Sequence, residues 1–364
     1  MAPAGSARAR IEAAIAAAGG WIGFERFMAL ALYAPGVGYY SGARRKFGAM
    51  PGSGSDFVTA PELSPLFGAT LAEQIGEALR VTGTDTVWEF GAGSGALAAA
   101  LLQALGPQVR RYCIVELSGS LRQRQQEALR IWADRVEWVD ALPERFSGVL
   151  VGNEVLDAMP VTLLLRRDGV WLERGVTAVP DAQGLPQLQW ADRPTEQQPP
   201  VAVGGDADYL TEIHPQAEAF VRTLAEHLQQ GAVFLIDYGF PEQEYYHPQR
   251  SMGTLMCHQG HVADPDPLQL PGDKDITAHV NFTGVALAAQ DAGLHVLGYT
   301  SQARFLLNCG LLAKMEQKSL ARRAEAHKLI AEHEMGELFK VLALGAGAPW
   351  EPMGFAQGDR SHRL

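Results

Sequence analysis

The chain has 364 residues, of which 47% are hydrophobic, and its formal net charge is −11. This length is enough for a large core in one elaborated domain or two, and the composition is that of an ordinary globular protein. The acidic balance argues against nucleic acid as the main partner, because phosphates are bound by basic surfaces.

Cysteine usage and hydropathy indicate the environment of the chain. Cys113, Cys257 and Cys309 are too few and too scattered for a disulfide framework, which indicates a reducing compartment. The most apolar stretch, residues 90–106, is glycine-rich and shorter than the roughly 20 residues that a membrane-spanning helix needs. We therefore expect a cytoplasmic protein without membrane insertion.

The N-terminal part of the chain predicts helices before the first strand. Its alanine-rich start fits an ordinary helix, ended by Gly19-Gly20, better than a transit peptide. Helical spacing recurs over residues 24–32 and 63–75. Between these helices, residues 41–55 form a glycine- and serine-rich loop.

The middle of the chain predicts strands and helices in alternation. Their predicted bounds are 86–90, 95–105, 111–116, 118–131, 136–139 and 148–153, and residues 232–237 form a fifth strand. Such alternation indicates a parallel sheet with crossover helices, so the predicted fold class is α/β.

The remaining segments carry weaker signals. Asp168-Gly169 between two apolar runs predicts a hairpin. Residues 180–200 are rich in proline and glutamine, which indicates a surface loop. Residues 238–282 are predicted to be a long loop, and such loops in compact domains are usually functional. Beyond residue 282 we predict a helix, a strand ending near Tyr299 and then mostly helix.

Glu89-Phe90-Gly91-Ala92-Gly93-Ser94-Gly95 is the most informative stretch, because it joins a strand to a helix through a glycine turn. Glycines allow a tight turn and a close approach to a ligand, and the helix N-terminus offers unpaired N–H groups. Glu116 ends the next predicted strand. An acid about 20 residues beyond the glycines is where Rossmann-type sites bind ribose hydroxyls. The pattern predicts a nucleoside-cofactor site.

The glycine pattern alone leaves two cofactors open, because it also fits the dinucleotide fingerprint G-x-G-x-x-A. Glu89 favours S-adenosylmethionine, since an acid can face the aminoacyl end of that cofactor but would repel a pyrophosphate. The polar stretch that begins at Asn153 points the same way, because methyltransferases place polar groups at that fourth strand end. An NAD-linked oxidoreductase is the alternative, although no set of catalytic His, Tyr and Lys residues accompanies the turn.

Several segments resemble the MidA family, the complex I assembly factor 7 type of protein arginine methyltransferase. These are residues 27–33, 38–40, 56–64, 89–95, 153–161, 237–239 and 275–282. The chain departs from the family pattern at Ser55, Met159 and Asn281, and none of these changes removes a group that the chemistry obviously needs.

The resemblance implies a Rossmann-like class I methyltransferase sheet and S-adenosyl-L-methionine as the cofactor. The family methylates arginine in an iron–sulfur core subunit of respiratory complex I. The implied activity is therefore protein arginine N-methylation of such a subunit or its homologue. For a bacterial-type member the implied location is the cytoplasm, whereas eukaryotic relatives would lie in the mitochondrial matrix.

The chemistry of arginine suggests the catalytic residues. Its guanidinium group is protonated in water, and carboxylates bind its planar fork with paired hydrogen bonds. Glu154 and Asp157 stand at the predicted strand end nearest the transferred methyl group, so we predict that both are catalytic. The alternative is a helix cap plus a surface acid.

The predicted cofactor contacts follow from the turn, the strand ends and the resemblance. Asp140 follows the third strand, where this fold usually places an acid or amide against the adenine amino group. By resemblance, residues 59–62 close over the cofactor. The full set is Thr59, Pro61, Glu89, Gly91, Ala92, Gly93, Gly95, Glu116, Leu117, Asp140, Ala141 and Asn153.

The predicted substrate contacts are Glu62, Arg250 and His279, although Glu62 also fits a helix cap. We predict no metal site. Cys257, His258 and His261 lack the second pair of ligands that a zinc site needs.

We predict three regions: a helical and cofactor-closing segment at 1–84, the methyltransferase core at 85–300 and a helical extension at 301–364. The core would contain an insertion at about 161–210 and a substrate loop at 238–282. The expected partner is a protein substrate, and a homodimer stays open. A cofactor-binding assembly factor without catalysis is the alternative from another functional class.

Overall fold

The computed structural model describes residues 5–42, 59–205, 207–260 and 262–364. Most of the predicted loop at 41–55, Ser55, the start of the family-like segment at 56–58, and His261 lie outside the described residues. Among the described helices, none is both long and apolar enough to cross a membrane.

The α-helices of the described residues are numbered in chain order. They are α1 (Ala7–Ala17), α2 (Phe24–Tyr33), α3 (Ala60–Leu63), α4 (Pro65–Thr82), α5 (Ala96–Leu105), α6 (Gly119–Ala128), α7 (Pro215–His227), α8 (Glu242–Tyr245), α9 (Phe282–Asp291), α10 (Gln302–Asn308), α11 (Leu311–Glu316) and α12 (Leu320–Lys328).

The strands are β1 (Ile22–Gly23), β2 (Thr86–Phe90), β3 (Arg111–Val115), β4 (Val136–Val139), β5 (Phe146–Asn153), β6 (Thr162–Arg167), β7 (Val170–Pro180), β8 (Pro186–Pro194), β9 (Tyr209–Ile213), β10 (Leu228–Phe240), β11 (Met256–Gln259), β12 (Val262–Asp264), β13 (Asp275–Thr277), β14 (Val280–Asn281), β15 (His295–Ser301) and β16 (Phe339–Ala346).

The chain divides into two compact units. The hairpin unit contains the described residues of Met1–Arg45, Asp157–Ala217 and Phe240–Asn281. The sheet unit contains the described residues of Lys46–Leu156, Glu218–Gly239 and Phe282–Leu364. The three regions proposed from the sequence stay a prediction.

The sheet unit has an α/β fold, as the alternation predicts. Its central strands run in the order β15-β16-β10-β5-β2-β3-β4, and neighbours from β10 to β4 are parallel. From β2 the chain proceeds outward through β3 and β4, then continues with β5 on the other side of β2. This reversal makes a topological switch point between β2 and β5, the place where open α/β sheets bind ligands.

Glycines permit the closest contacts in this sheet. Gly231 on β10 has a φ of 147°, and a Cβ atom there would lie 1.8 Å from the carbonyl oxygen of Gly148 on β5. On one face of the sheet, α4 and α5 also approach closely, because a Cβ on Gly68 would lie 2.5 Å from the Ala100 Cβ. The two helices and the strands bury one apolar core that includes Leu71.

The hairpin unit is built on antiparallel strands. β7 pairs with β6, β8 and β1, and β6 pairs with β9. The predicted hairpin is confirmed: Asp168 and Gly169 both have positive φ angles, of 50° and 77°. Phe24, Phe27 and Leu163 belong to the core that α1 and α2 cover.

Three secondary-structure predictions are wrong. The proline-rich segment predicted as a loop contains β8, which pairs with β7 and lies at the edge of its sheet, where prolines are tolerated. The long loop predicted at 238–282 contains α8 and the small sheet β12-β11-β13. The C-terminal part, predicted as mostly helical, contains β16, which runs antiparallel between β10 and β15. Nearly every residue of β16 is buried, so it lacks the alternation that indicates a strand.

Candidate functional site

The glycine turn leaves the carboxyl end of β2 at the switch point. Gly91, Gly93 and Gly95 have φ angles of 66°, 53° and 86°, a region that other residues rarely adopt. A Cβ on Gly91 would lie 2.9 Å from the Val155 Cγ2 atom, so the turn packs directly on the residues that follow β5. Gly95 is the N-cap of α5, whose first N–H groups have no partner within the helix. The turn therefore presents backbone donors at the carboxyl edge of the sheet.

Glu89 is buried at the end of β2 and accepts a hydrogen bond from the Tyr112 hydroxyl at 2.7 Å. Burial raises the pKa of Glu89 to about 7. The hydrogen bond from Tyr112 lowers this pKa, and the nearby Glu116 carboxylate raises it. A carboxyl group with this pKa changes charge near neutral pH. The ammonium group at the aminoacyl end of a bound cofactor would favour the ionised form of Glu89.

We expect cofactor binding to be linked to the ionisation of Glu89. Because the pKa is raised to about 7, the group is mostly neutral below that value, and binding of S-adenosylmethionine should release up to about half a proton at pH 7. Affinity should rise as the pH increases from about 6 to about 8. Calorimetry in buffers of different ionisation enthalpy measures this release. Glu89→Gln should abolish it, and equal proton release by that variant would contradict the assignment.

Glu116 is held at the end of β3 by two hydrogen bonds. One carboxylate oxygen accepts from the Ser118 N–H at 2.8 Å and the other from Gln125 Nε2 at 3.1 Å. The same Gln125 amide donates to the Gly93 carbonyl at 3.1 Å, and the Trp138 indole donates to Gln125 Oε1 at 3.0 Å. Gln125 therefore joins the ribose-binding candidate to the glycine turn. Gln125 is not among the residues predicted from the sequence, where its only signal is an amide on the buried face of α6.

Glu116→Ala should weaken S-adenosylmethionine binding by roughly 1.5–3 kcal/mol, the range for a hydrogen bond to a charged group. Glu137→Ala is the matched control, because Glu137 is an exposed acid on the neighbouring strand and is bound to Arg111. Calorimetric titration of both variants measures the difference. Unchanged affinity in a folded Glu116→Ala variant would show that Glu116 does not bind the ribose.

Arg122 connects the ends of β3 and β4. Its guanidinium donates to the Glu116 carbonyl at 2.7 Å and to Asp140 Oδ1 at 2.6 Å. The Asp140 side chain is 81% exposed, and Ala141 beyond it is also exposed. The apolar side chain of Leu117, next to Glu116, is 80% exposed. The structure thus groups Glu116, Leu117 and Asp140 at one edge of the sheet, and their contacts with adenosine stay a prediction.

The turn after β5 holds Glu154 in an unusual backbone conformation. Its φ is 53°, and its N–H donates to the Ile236 carbonyl of β10 at 2.9 Å. Asn153 is buried, and its Nδ2 donates to Glu154 Oε1 at 2.9 Å. Within the described parts of the chain, Asn153 Oδ1 is buried and has no hydrogen-bond partner. Strained residues of this kind cluster at functional sites.

The segment predicted to close over the cofactor forms α3, which contacts α5. Thr59 is the N-cap of α3, although its side chain makes no capping hydrogen bond to the described residues. Pro61 lies in the first turn. Glu62 Oε2 is buried without a hydrogen-bond partner among the residues that the structure describes.

The other predicted residues lie in the hairpin unit. Asp157 is 5% exposed, and its carbonyl accepts from the Ala278 N–H at 2.9 Å. The Arg250 guanidinium lies 3.8 Å from the centre of the Phe240 ring, and the His279 ring lies 5.3 Å from the same centre. Phe240 therefore brings Arg250 and His279 together.

The described residues contain no group of three or more His, Cys, Asp and Glu side chains that could hold a metal ion. Burial raises the pKa of the Cys257 thiol to about 12, which disfavours the thiolate form that binds zinc.

An S-adenosyl cofactor fits these residues. The glycine turn leaves room for close backbone approach, Leu117 offers an exposed apolar surface beside the Glu116 carboxylate, and Asn153 offers a buried acceptor. Residues 70–300 match the model of a family of S-adenosyl-L-methionine-dependent methyltransferases. The chain belongs to this family. S-adenosylmethionine is thus the cofactor of this methyltransferase.

Solved structures and curated proteins resemble this methyltransferase over most of its length. A Burkholderia thailandensis protein, solved with bound S-adenosyl-homocysteine, is 52% identical, with a TM-score of 0.93 over 98% of this chain and 96% of that chain. A protein arginine methyltransferase NDUFAF7 of Danio rerio is 27% identical over 89% of this chain and 83% of the relative. The human NDUFAF7 is 26% identical over 89% and 80%.

Proposed function

We propose that this methyltransferase is a protein arginine N-methyltransferase that acts on a core subunit of respiratory complex I or its homologue. Relatives that span most of the chain are named protein arginine methyltransferases, which supports arginine as the acceptor. The resemblance to the MidA family supports the choice of subunit. The structural observation that carries the proposal is the strained Glu154 turn beside the glycine turn.

The reaction is a displacement at a methyl carbon. Bound S-adenosylmethionine supplies an electrophilic methyl group on a sulfonium sulfur. A guanidinium nitrogen forms the new N–C bond while the S–C bond breaks, the electron pair stays on sulfur, and a proton leaves the nitrogen. The chain must orient the guanidinium and favour loss of that proton.

Glu154 suits this task by its position. It follows β5 directly, next to the β2 end that bears the glycine turn, and β2 and β5 are neighbours in the sheet. Its carboxylate can bind the guanidinium fork through charge-assisted hydrogen bonds and hold it for attack. We assign the second acid of the guanidinium site to Asp157, and substrate contacts to Glu62, Arg250 and His279.

The experiment is a transfer assay with labelled S-adenosylmethionine and a purified iron–sulfur core subunit of complex I. Mass spectrometry of the digested subunit should find the methyl group on an arginine side chain. The same subunit incubated with Glu154→Gln protein is the control. A methyl group on lysine or on another residue type would overturn arginine specificity. Absence of transfer to any respiratory subunit, despite cofactor binding, would favour a non-catalytic assembly factor.

A further inference from the structure

Asp237 on β10, directly after the last residue that pairs with β5, is bound to the turn that carries Glu154. Asp237 is 1% exposed, and one of its carboxylate oxygens accepts hydrogen bonds from both the Val155 N–H, at 3.1 Å, and the Leu156 N–H, at 2.9 Å. Its other oxygen accepts from the Tyr238 N–H at 3.0 Å. β5 ends at Asn153, so the N–H groups of Val155 and Leu156 lack the backbone acceptors that a strand provides. The Asp237 carboxylate accepts their hydrogen bonds instead.

We propose that Asp237 is a positioning residue that holds Glu154 in its catalytic conformation. This inference rests on the proposed function of Glu154. Two anchors fix the backbone of the turn: the Glu154 N–H bonds to the Ile236 carbonyl, and the next two N–H groups bond to the side chain of Asp237. Without the hydrogen bonds to Asp237, fewer interactions would offset the strain of the left-handed backbone conformation of Glu154.

The same carboxylate also fixes the contact between the Glu154 turn and the glycine turn. Val155, whose N–H is bound to Asp237, places its Cγ2 atom 2.9 Å from the position of a Cβ on Gly91. A shift of Val155 would therefore move a wall of the cofactor site as well as Glu154. The ends of β2 and β5 are thus connected to β10 through one buried side chain.

Three hydrogen bonds from backbone N–H groups compensate for the burial of the Asp237 carboxylate. Lys340 on β16 is its register partner and is 5% exposed, and the Lys340 ammonium lies 3.8 Å from a carboxylate oxygen of Glu337.

The test is a double-mutant cycle between Asp237→Ala and Glu154→Gln, measured as methyl transfer to a purified iron–sulfur core subunit of complex I. In the otherwise native chain, Glu154→Gln should lower kcat at least about tenfold. In the Asp237→Ala chain, where Glu154 is no longer held, the same change should lower kcat less than about threefold. Asp237→Ala alone should lower kcat, and it should also raise the KM for S-adenosylmethionine, because Val155 packs against the glycine turn.

Asp237→Asn gives a second background, because an amide oxygen can still accept from Val155 and Leu156. It should retain more activity than Asp237→Ala. Glu77→Gln is the matched control, because Glu77 also accepts a backbone N–H, from Met353, but in the C-terminal part of the sheet unit. It should leave kcat unchanged.

The outcomes separate the two proposals. An equal tenfold loss from Glu154→Gln in every background would overturn the positioning role of Asp237 and leave the role of Glu154 standing. Native turnover by Glu154→Gln in the otherwise native chain would overturn both. If Asp237→Ala does not fold, Asp237→Leu, which keeps much of the side-chain volume but has no acceptor, takes its place in the cycle and is judged by the same criterion.

Discussion

Glu154→Gln should lower methyl transfer at least about tenfold, equal to about 1.4 kcal/mol in the activation barrier, and leave cofactor affinity within a few-fold. The amide nearly preserves the shape of the side chain but loses the charge that binds a guanidinium and favours its deprotonation. The ribose and adenine candidates, Glu116 and Asp140, lie on other strand ends, so cofactor binding should persist. We expect the same result for Asp157→Asn.

The measurement combines single-turnover transfer to the complex I subunit with calorimetric titration of S-adenosylhomocysteine. Asp134→Asn, which changes an exposed acid of the sheet unit, is the control and should transfer methyl groups at the native rate. Native turnover by both Glu154→Gln and Asp157→Asn would mean that these acids are structural and that the guanidinium binds elsewhere.

Gly91→Ala should lower S-adenosylmethionine affinity at least about tenfold, or about 1.4 kcal/mol. The φ of 66° costs a residue with a Cβ about 1–2 kcal/mol. The added methyl would also lie 2.9 Å from Val155 Cγ2, so Val155 or the turn must shift. Because the turn presents its backbone to the cofactor, its displacement should reduce affinity directly.

Gly83→Ala separates backbone strain from the packing conflict. Gly83 has a φ of 63°, close to that of Gly91, but nothing lies within 4 Å of its Cβ position. It ends α4 rather than entering the site. Both variants should lose some thermal stability, whereas only Gly91→Ala should lose cofactor affinity. Equal affinity of the two variants would contradict close packing of the turn on Val155.

The glycine turn could be predicted from the sequence because its signal is local. Glycine at positions 91, 93 and 95 permits the positive φ angles that the tight turn between the strand and the helix requires. Glu116 was found in the same way, since the length of one βαβ unit sets the distance between the turn and the second strand end. The hairpin at Asp168-Gly169 is local too, and all three features are present in the structure.

The supporting residues could not be predicted because they act across long separations in the chain. Gln125 joins Glu116 to Gly93, and Asp237 binds N–H groups about eighty residues away along the chain. The sequence of the Asp237 segment carries only a family resemblance and has no periodicity that points to a partner. Which distant backbone donor meets a carboxylate depends on the order of strands in the sheet.

The sequence by itself determined the nucleoside-binding turn, the acid at the second strand end and the α/β alternation, because each depends on residue type and spacing within one supersecondary unit. Tertiary structure decided the places of β8 and β16, since a strand at a sheet edge tolerates prolines and a strand buried on both faces shows no alternation. It also decided the ionisation of Glu89 and the conformation of Glu154. Burial and hydrogen bonds from other strands set both properties, and neither is contained in the local order of residues.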